Sequence, residues 1–572
     1  MTTPSRILDL LQLAAHVFCA DRLIYRGDRR GVDYGSWART IEIHLPVFDI
    51  DFWSNPALQN ALSECLQYMT GDRKYSFVFK KAALSPIEPR AKQLSLFTDE
   101  FSLVHDAGAA DVMLLSGGLD SLAGAIEHLS EGSDKKLIVI SHKGNNSVKK
   151  TQKAVIEDLR SCYANRVYPY GFECHNKKSI GSVDETQRTR MFLFSSIAYA
   201  ISECFGKDKF YVYENGITSI NLPGQGDVIN ARASRTTHPK TLGLIKKFLR
   251  FFESKFDILT PYCTKTKEDI FNIFAKYDKM EMLSSAVSCS STRNRPGSTS
   301  HCGCCSQCID RKFAAYAAGL EDYDAQYSND FITNIPGDEA KQRLYYTLRL
   351  ASAGKAKSPL DFFTSYPEEL SDTIEYWRCD NPDDSLEEIH SLFLRFGDSV
   401  LRAAQAMRAK HDDLSIPTLA NSFLAMLSSR DYLKTPISIR VDEIDKVLVV
   451  SLPQMFSSEK PKNENDFNDK VKAILDTSGK NFTREYPVLI FGITSYRADI
   501  ADDDLIIESK YLRGKTSRAA ITDGIAADIT KVQNGNGLFF VVYDPERKIP
   551  NDDDFIFSFE CKRKDCFVRI YR

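Results

Sequence analysis

Three groups of residues in this chain have the types and spacing to do chemistry. The first is Ser116-Gly117-Gly118-Leu119-Asp120-Ser121. It follows the apolar run DVMLLS at 111–116 and runs into an apolar-periodic stretch that reads as a helix over 120–130. A buried strand that breaks into two glycines and then a helix presents backbone N–H groups and the positive end of a helix to an anion. Ser116 and Ser121 can donate to phosphate oxygens, and Asp120 can hold Mg²⁺ beside them. The Walker pattern GxxxxGK[ST] is absent, so this is a different phosphate cradle.

The second group is Cys289-x12-Cys302-x2-Cys305-x2-Cys308. Four thiolates on short turns make a closed tetrahedral Zn²⁺ site, and Gly303 helps the turn. Cys304 falls out of step with that spacing. A redox or sulfur-transfer site would also use clustered cysteines, but a closed site leaves no thiolate open. The other nine of the 14 cysteines are scattered and read as buried thiols.

The third group is Asp499, a short acidic turn (Asp502, Asp503, Asp504), and Leu505-Ile506-Ile507-Glu508-Ser509-Lys510. LIIESK reads as a strand, so Glu508 and Lys510, two residues apart, share a face. Asp499, on the preceding strand, can approach Glu508 across the hairpin. Two carboxylates can hold Mg²⁺ or Mn²⁺, and the lysine can orient or deprotonate a water that attacks a phosphodiester. Arg513, Lys515 and Arg518 follow closely and can contact phosphates.

The elements that must position these groups follow from length and pattern. At roughly 150 residues per domain, 572 residues suggest three or four domains. The composition, 43% hydrophobic, excludes a disordered or fibrous chain, and the net charge of −3 excludes a basic nucleic-acid coat. No apolar run reaches the roughly 18 residues of a membrane span, so a cytoplasmic protein with no membrane partner is expected. Residues 1–108 read as an N-terminal α/β domain plus linker, SPIEPRAKQLSLFTDE at 85–100 being the linker or a long hairpin. Residues 109–330 alternate short apolar strands with helices, which predicts a doubly wound parallel sheet. Residues 331–455 are mainly helical, with a strand resuming at KVLVVSLP (446–453). Residues 456–572 form a last α/β unit. Neither 1–83 nor 335–440 shows any chemistry.

The SGGLDS loop resembles that of the PP-loop (HUP-like) ATP pyrophosphatase family, which binds ATP there, transfers AMP to a substrate oxygen and releases pyrophosphate. With the Cys₄ pattern some 170 residues later, the stretch 110–320 is similar to 7-cyano-7-deazaguanine synthase. That resemblance implies ATP, Mg²⁺ and Zn²⁺, a small deazaguanine-type substrate, and adenylation of a carboxylate to give a nitrile, amide or conjugate. It makes Ser116, Gly117, Gly118, Leu119, Asp120, Ser121 and Arg190 nucleotide-binding. It makes Asp120 and Lys267 catalytic, with Lys267 near the α-phosphate after Leu259-Thr260-Pro261. Arg190 matches the family's arginine, but Met191 departs from its asparagine. The substrate side departs too: Ser234-Arg235-Thr236-Thr237-His238 forms a polar cluster that can bind an acceptor or cap the next helix. Such divergent synthase-like chains resemble components of antiphage defence islands, which implies partner proteins from a defence operon.

The pattern Asp499…Glu508-x-Lys510 resembles the PD-(D/E)xK nuclease superfamily, which implies a restriction-endonuclease-like domain, DNA as partner, and Asp499 and Glu508 as metal ligands. Two other readings stay open: a tRNA-modifying PP-loop enzyme of the thiolation type, and a non-catalytic nucleotide- or nucleic-acid-recognition protein.

Overall fold

The structure, a computed structural model, describes residues 5–25, 38–83, 110–144, 146–174, 188–222, 235–290, 299–411, 422–429, 436–457, 459–477, 482–491, 494–501, 505–514, 518–532, 537–560, 562–563 and 565–572. The expected linker at 85–100 lies outside them. The chain divides into two compact units, one ending at residue 430 and the other running from 431 to 572.

The first unit opens with α1 (Ser5–Leu23), β1 (Thr40–Val47), α2 (Pro56–Thr70) and β2 (Lys74–Lys81). β1 alternates exposed and buried residues and pairs in parallel with β2, with α2 as crossover. Local chemistry sets the helix ends: the Asn55 side chain caps α2, Pro56 starts it, and Gly71 closes it in the left-handed conformation.

β3 (Asp111–Leu114), α3 (Leu119–Ser130), β4 (Leu137–His142), α4 (Asn146–Tyr163), β5 (Val167–Phe172), α5 (Arg190–Cys204) and β6 (Lys209–Tyr211) follow. Then come α6 (Pro239–Leu249), β7 (Asp257–Leu259), α7 (Lys267–Lys276) and α8 (Ser306–Ala318). The five strands pair in parallel in the order β5-β4-β3-β6-β7. Strand alternation sorts the helices onto the two faces. Val112, Ile138 and Ile140 share one core with α5, α6 and the N-terminal elements. Met113, Leu137 and Val139 share the other with α3 and α7. The expected parallel sheet with helices on both faces is present, and the N-terminal elements pack into one of its cores. A buried ion cluster ties them there: Arg39 bonds Asp21 and Asp72 at 2.7 Å each, and Asp21 accepts from the backbone N–H of Thr189.

The helical region includes α9 (Asp338–Gly354) and α10 (Pro382–His411). α10 docks on the segment joining β7 to α7 and on the first turn of α7: Arg395 donates to the Thr264 carbonyl, and Arg402 bonds both Glu268 oxygens at 2.8 and 2.6 Å.

The second unit begins with α11 (Pro436–Met455), which corrects the strand expected at 446–453. Val441, Ile444, Leu448 and Leu452 recur at helical spacing and are buried, whereas Val449 and Val450 are exposed. The β-branched run looked like a strand only in a short window. α12 (Glu464–Thr477), β8 (Thr483–Phe491), β9 (Thr494–Ala501), β10 (Leu505–Tyr511), α13 (Arg518–Lys531), β11 (Gly537–Tyr543), α14 (Asp552–Glu560) and β12 (Cys566–Tyr571) complete it. Their sheet has the order β12-β11-β10-β9-β8, parallel from β10 to β12 and antiparallel from β8 to β10. β11 is buried along its whole length, as a central strand covered on both faces must be.

Candidate functional sites

The strand order of the first sheet reverses between β3 and β6, and the crevice at such a switch point, outside the strand ends, is where open α/β sheets bind ligands. The SGGLDS loop leaves β3 at that point. Gly117 has φ +86°, a left-handed conformation that only glycine adopts without strain. The loop is braced from within: the Gly118 N–H donates to Ser116 Oγ at 3.1 Å, and Ser121 Oγ donates to the Gly118 carbonyl at 3.0 Å.

Asp120, in the first turn of α3, points into a buried polar cluster. Lys267 Nζ donates to its Oδ1 at 2.8 Å, and the backbone and side-chain N–H groups of Asn215 donate to its Oδ2 at 3.1 and 2.7 Å. The ends of β3, β6 and β7 are thus joined through one carboxylate. Burial opposes the charge on Lys267, but Asp120 and Glu214 more than offset it and hold the ammonium on. Burial, then Asp120, pushes the Glu214 carboxyl well above the usual range. Lys267 is therefore a buried ion-pair partner rather than a solvated helix lysine. Both Asp120 oxygens already face protein donors, so this arrangement orients Lys267 instead of presenting a free carboxylate to Mg²⁺. Arg190 opens α5 with an exposed side chain, and its charge acts on Glu214.

Beside this cluster lies a narrow cavity lined by Asn215, Thr218, Lys267, Asp310, Phe396 and Val400. α10, from the helical region without legible chemistry, thus supplies one wall. In the polar cluster after residue 234, the structure favours capping: His238 caps α6, its ring nitrogen accepting from the Lys240 N–H at 3.2 Å. Ser234 itself lies outside the described residues.

Cys289, Cys302, Cys305 and Cys308 are buried with their sulfurs within 4.8 Å of one another. Cys304 stays outside the set, its thiol donating to the Cys302 carbonyl. The N–H groups of Cys304 and Cys305 both donate to Cys302 Sγ at 3.3 Å, an arrangement that stabilises a thiolate. Gly303 makes the turn possible: φ is +77°, and a Cβ there would sit 1.9 Å from the Asn329 carbonyl oxygen. Four soft donors in a closed, buried set fit zinc. The cluster also braces the loop. Arg311, fully buried in α8, bonds the carbonyls of Leu283 and Ala286, and the nearby Val287 N–H donates to the Gly117 carbonyl at 3.0 Å.

In the second unit the register that pairs Ile507 with Ile500 brings Glu508 opposite Asp499. The Asp499 N–H donates to Glu508 Oε1 at 3.3 Å, and the Ser509 N–H donates to Asp499 Oδ2 at 3.1 Å. Two hard oxygen donors side by side on adjacent strands fit a divalent cation. Lys510 lies on the same face as Glu508, its Nζ 3.7 Å from Oε2. Glu464, at the start of α12, also faces Lys510 and Asp499, and burial raises its pKa. Asp528 on α13 bonds Lys510 at 2.9 Å. Arg513 is turned to the Lys462 carbonyl, whereas Lys515 and the Arg518 side chain lie outside the described residues.

Sequence reasoning did not single out Asn215, Glu214, Asp310 or Asp528. The only local signal was Glu-Asn-Gly at the end of β6, a polar break after an apolar strand.

A family model described as REase_DpnII-MboI matches residues 459–572, nearly the whole of the second unit. This unit therefore carries a restriction-endonuclease-like domain. No curated protein matches the chain. No helix among the described residues is long and apolar enough to cross a membrane.

Proposed function

We propose that the second unit is a metal-dependent endonuclease acting on DNA. The observation that carries this reading is the placing of Asp499, Glu508 and Lys510 together on β9 and β10, inside the matched domain. Asp499 and Glu508 would hold Mg²⁺ or Mn²⁺, which when bound supplies Lewis acidity to a phosphate oxygen and lowers the pKa of water. Lys510 offers its ammonium to the charge that grows on the phosphate or orients the attacking water. The test is cleavage of plasmid DNA with Mg²⁺ or Mn²⁺ by wild-type protein and by Glu508→Gln. Cutting by the wild type alone is expected; no cutting, or equal cutting by both, rejects the reading.

For the first unit we propose an ATP-dependent ligase-type activity: adenylation of a carboxylate, 7-carboxy-7-deazaguanine or a relative, toward a nitrile, amide or conjugate. Its support is the SGGLDS loop at the sheet's switch point with Lys267 anchored beside it. A structural zinc cluster is part of this proposal, and its closed geometry speaks against the thiolation alternative. Release of pyrophosphate that requires both the deazaguanine and Lys267 is the expected result; release unaffected by Lys267→Met rejects it. The combination of both activities fits a defence role with operon-encoded partners, which loss of phage restriction in either variant would test.

A further inference from the structure

The scattered cysteines do not all fit the expectation of inert buried thiols. Cys65 and Cys566 do: both are buried, and burial pushes their thiols up. Cys19 and Cys174 differ. Both are half-buried thiols, Cys19 near the end of α1 and Cys174 just past the end of β5. Far apart in the chain, they meet side chain to side chain, the Cys174 thiol donating to the Cys19 sulfur. Separate contacts bring them together. The Phe18 ring, next to Cys19, packs edge-on against the His142 ring with centroids 5.9 Å apart, and His142 Nε2 lies 3.4 Å from the Cys174 carbonyl oxygen. His142 ends β4 and pairs in register with Phe172 of β5, so α1 and the end of β5 are held on the same ring.

The surroundings make the two thiols unequal. The Cys174 hydrogen bond pulls the Cys19 thiol down to about 6 against the opposing effect of burial, and His16 and Arg22 add to the pull. The same contact pushes Cys174 up. A thiolate partly open to solvent and backed by a second thiol is the arrangement of a redox-responsive cysteine. Metal binding fits the pair poorly: among the described residues, the Cys289 cluster is the only gathered set of three or more metal-ligating side chains. We propose that Cys19 and Cys174 form a thiol modification site that takes a low-molecular-weight disulfide and closes to a Cys19–Cys174 bond tying α1 to β5. The Cys19 sulfur attacks one sulfur of the incoming molecule, whose S–S bond breaks, and the freed half leaves and takes up a proton. Cys174 then gives up its proton and attacks the Cys19 sulfur of this mixed disulfide, expelling the second half as a thiol. Two protein thiols are oxidised and one small disulfide is reduced to two thiols.

The test treats the full chain, with its cysteine cluster saturated with Zn²⁺, with glutathione disulfide, as wild type, Cys19→Ser and Cys174→Ser. Remaining thiols are then blocked with iodoacetamide and tryptic peptides are mapped by mass spectrometry. Peptide 7–22 carries Cys19 and peptide 167–177 carries Cys174. The wild type is expected to give these two peptides linked. Cys174→Ser should stop at a glutathione adduct on Cys19, and Cys19→Ser should leave Cys174 alkylated and unlinked. The urea midpoint of the oxidised wild type should rise, because the bond closes a loop of roughly 150 residues in the unfolded chain, and oxidation should not move it in either variant. Absence of the linked peptide overturns the proposal, as does a Cys19 that links to other cysteines as readily as to Cys174. A linked protein whose midpoint fails to rise would mean that the bond distorts the fold, which overturns a preformed pair. None of these outcomes depends on the ligase or the nuclease reading.

Discussion

Lys267, the first residue of α7, holds its ammonium 2.8 Å from the carboxylate of Asp120, 147 residues earlier in the chain and in the first turn of α3. Both side chains are buried, and Asn215 supplies two further donors to the Asp120 carboxylate. One ion pair therefore gathers the ends of three strands at the sheet's switch point.

Breaking that pair on one side leaves an uncompensated buried charge. Lys267→Ala is expected to cost about 3–5 kcal/mol of stability. Lys267→Met combined with Asp120→Asn is expected to recover most of it, since no charge is then stranded. Urea unfolding of the three proteins measures this, and equal losses in the single and double variants would refute the ion-pair account.

The cysteine cluster is expected to hold about one zinc per chain, a closed set of four thiolates being one tetrahedral site. Serine at Cys289, Cys302, Cys305 or Cys308 should abolish zinc in metal analysis of the purified protein. Serine at Cys304 should leave it. Gly303→Ala should also lose zinc, because the added Cβ collides with the Asn329 backbone.

His238 predicts a pH dependence of stability. Burial, with Arg235 adding to it, pushes its pKa down to about 3. The Lys240 N–H and the Tyr68 hydroxyl both face its Nδ1, so protonating that nitrogen breaks the cap. The folded pKa is lower than the unfolded one, so the unfolded chain binds the extra proton between them. Stability should be complete above about pH 6.5 and fall as pH drops, by about 1.4 kcal/mol per unit. Denaturant midpoints from pH 7.5 to 5 measure the slope, which His238→Asn should flatten.

Helix α11 separates two side chains that a strand would also separate but that a helix treats by different logic. Leu448 is buried in the core of the second unit, and its neighbour Val449 is 53% exposed. Leu448→Asp should cost several kcal/mol and Val449→Asp under about 0.5 kcal/mol. A large penalty at Val449 and Val450 together would contradict the helix.

The residues that were legible in the sequence are those whose signal is local. SGGLDS announces a strand-to-helix turn because its glycines are needed within that turn. The cysteine spacing isolates the four thiols that the fold gathers and sets Cys304 apart, because a tetrahedral site restricts loop lengths. Glu508 and Lys510 share a face because strand side chains alternate. The same locality explains the error at 446–453. Eight residues rich in valine satisfy a strand pattern, and the helical period of Val441, Ile444, Leu448 and Leu452 becomes visible only over a longer window.

The sequence by itself determined the loop, the thiolate set and the acidic strand pair, since each is encoded by neighbours in the chain. Only the tertiary structure decided that Asp120 meets Lys267 and Asn215, that α10 walls the adjacent cavity, and that Asp528 holds Lys510. Those meetings depend on strand order and on which helix covers which face. Burial of apolar surface selects that arrangement for the whole unit at once, and no short run of residues records it.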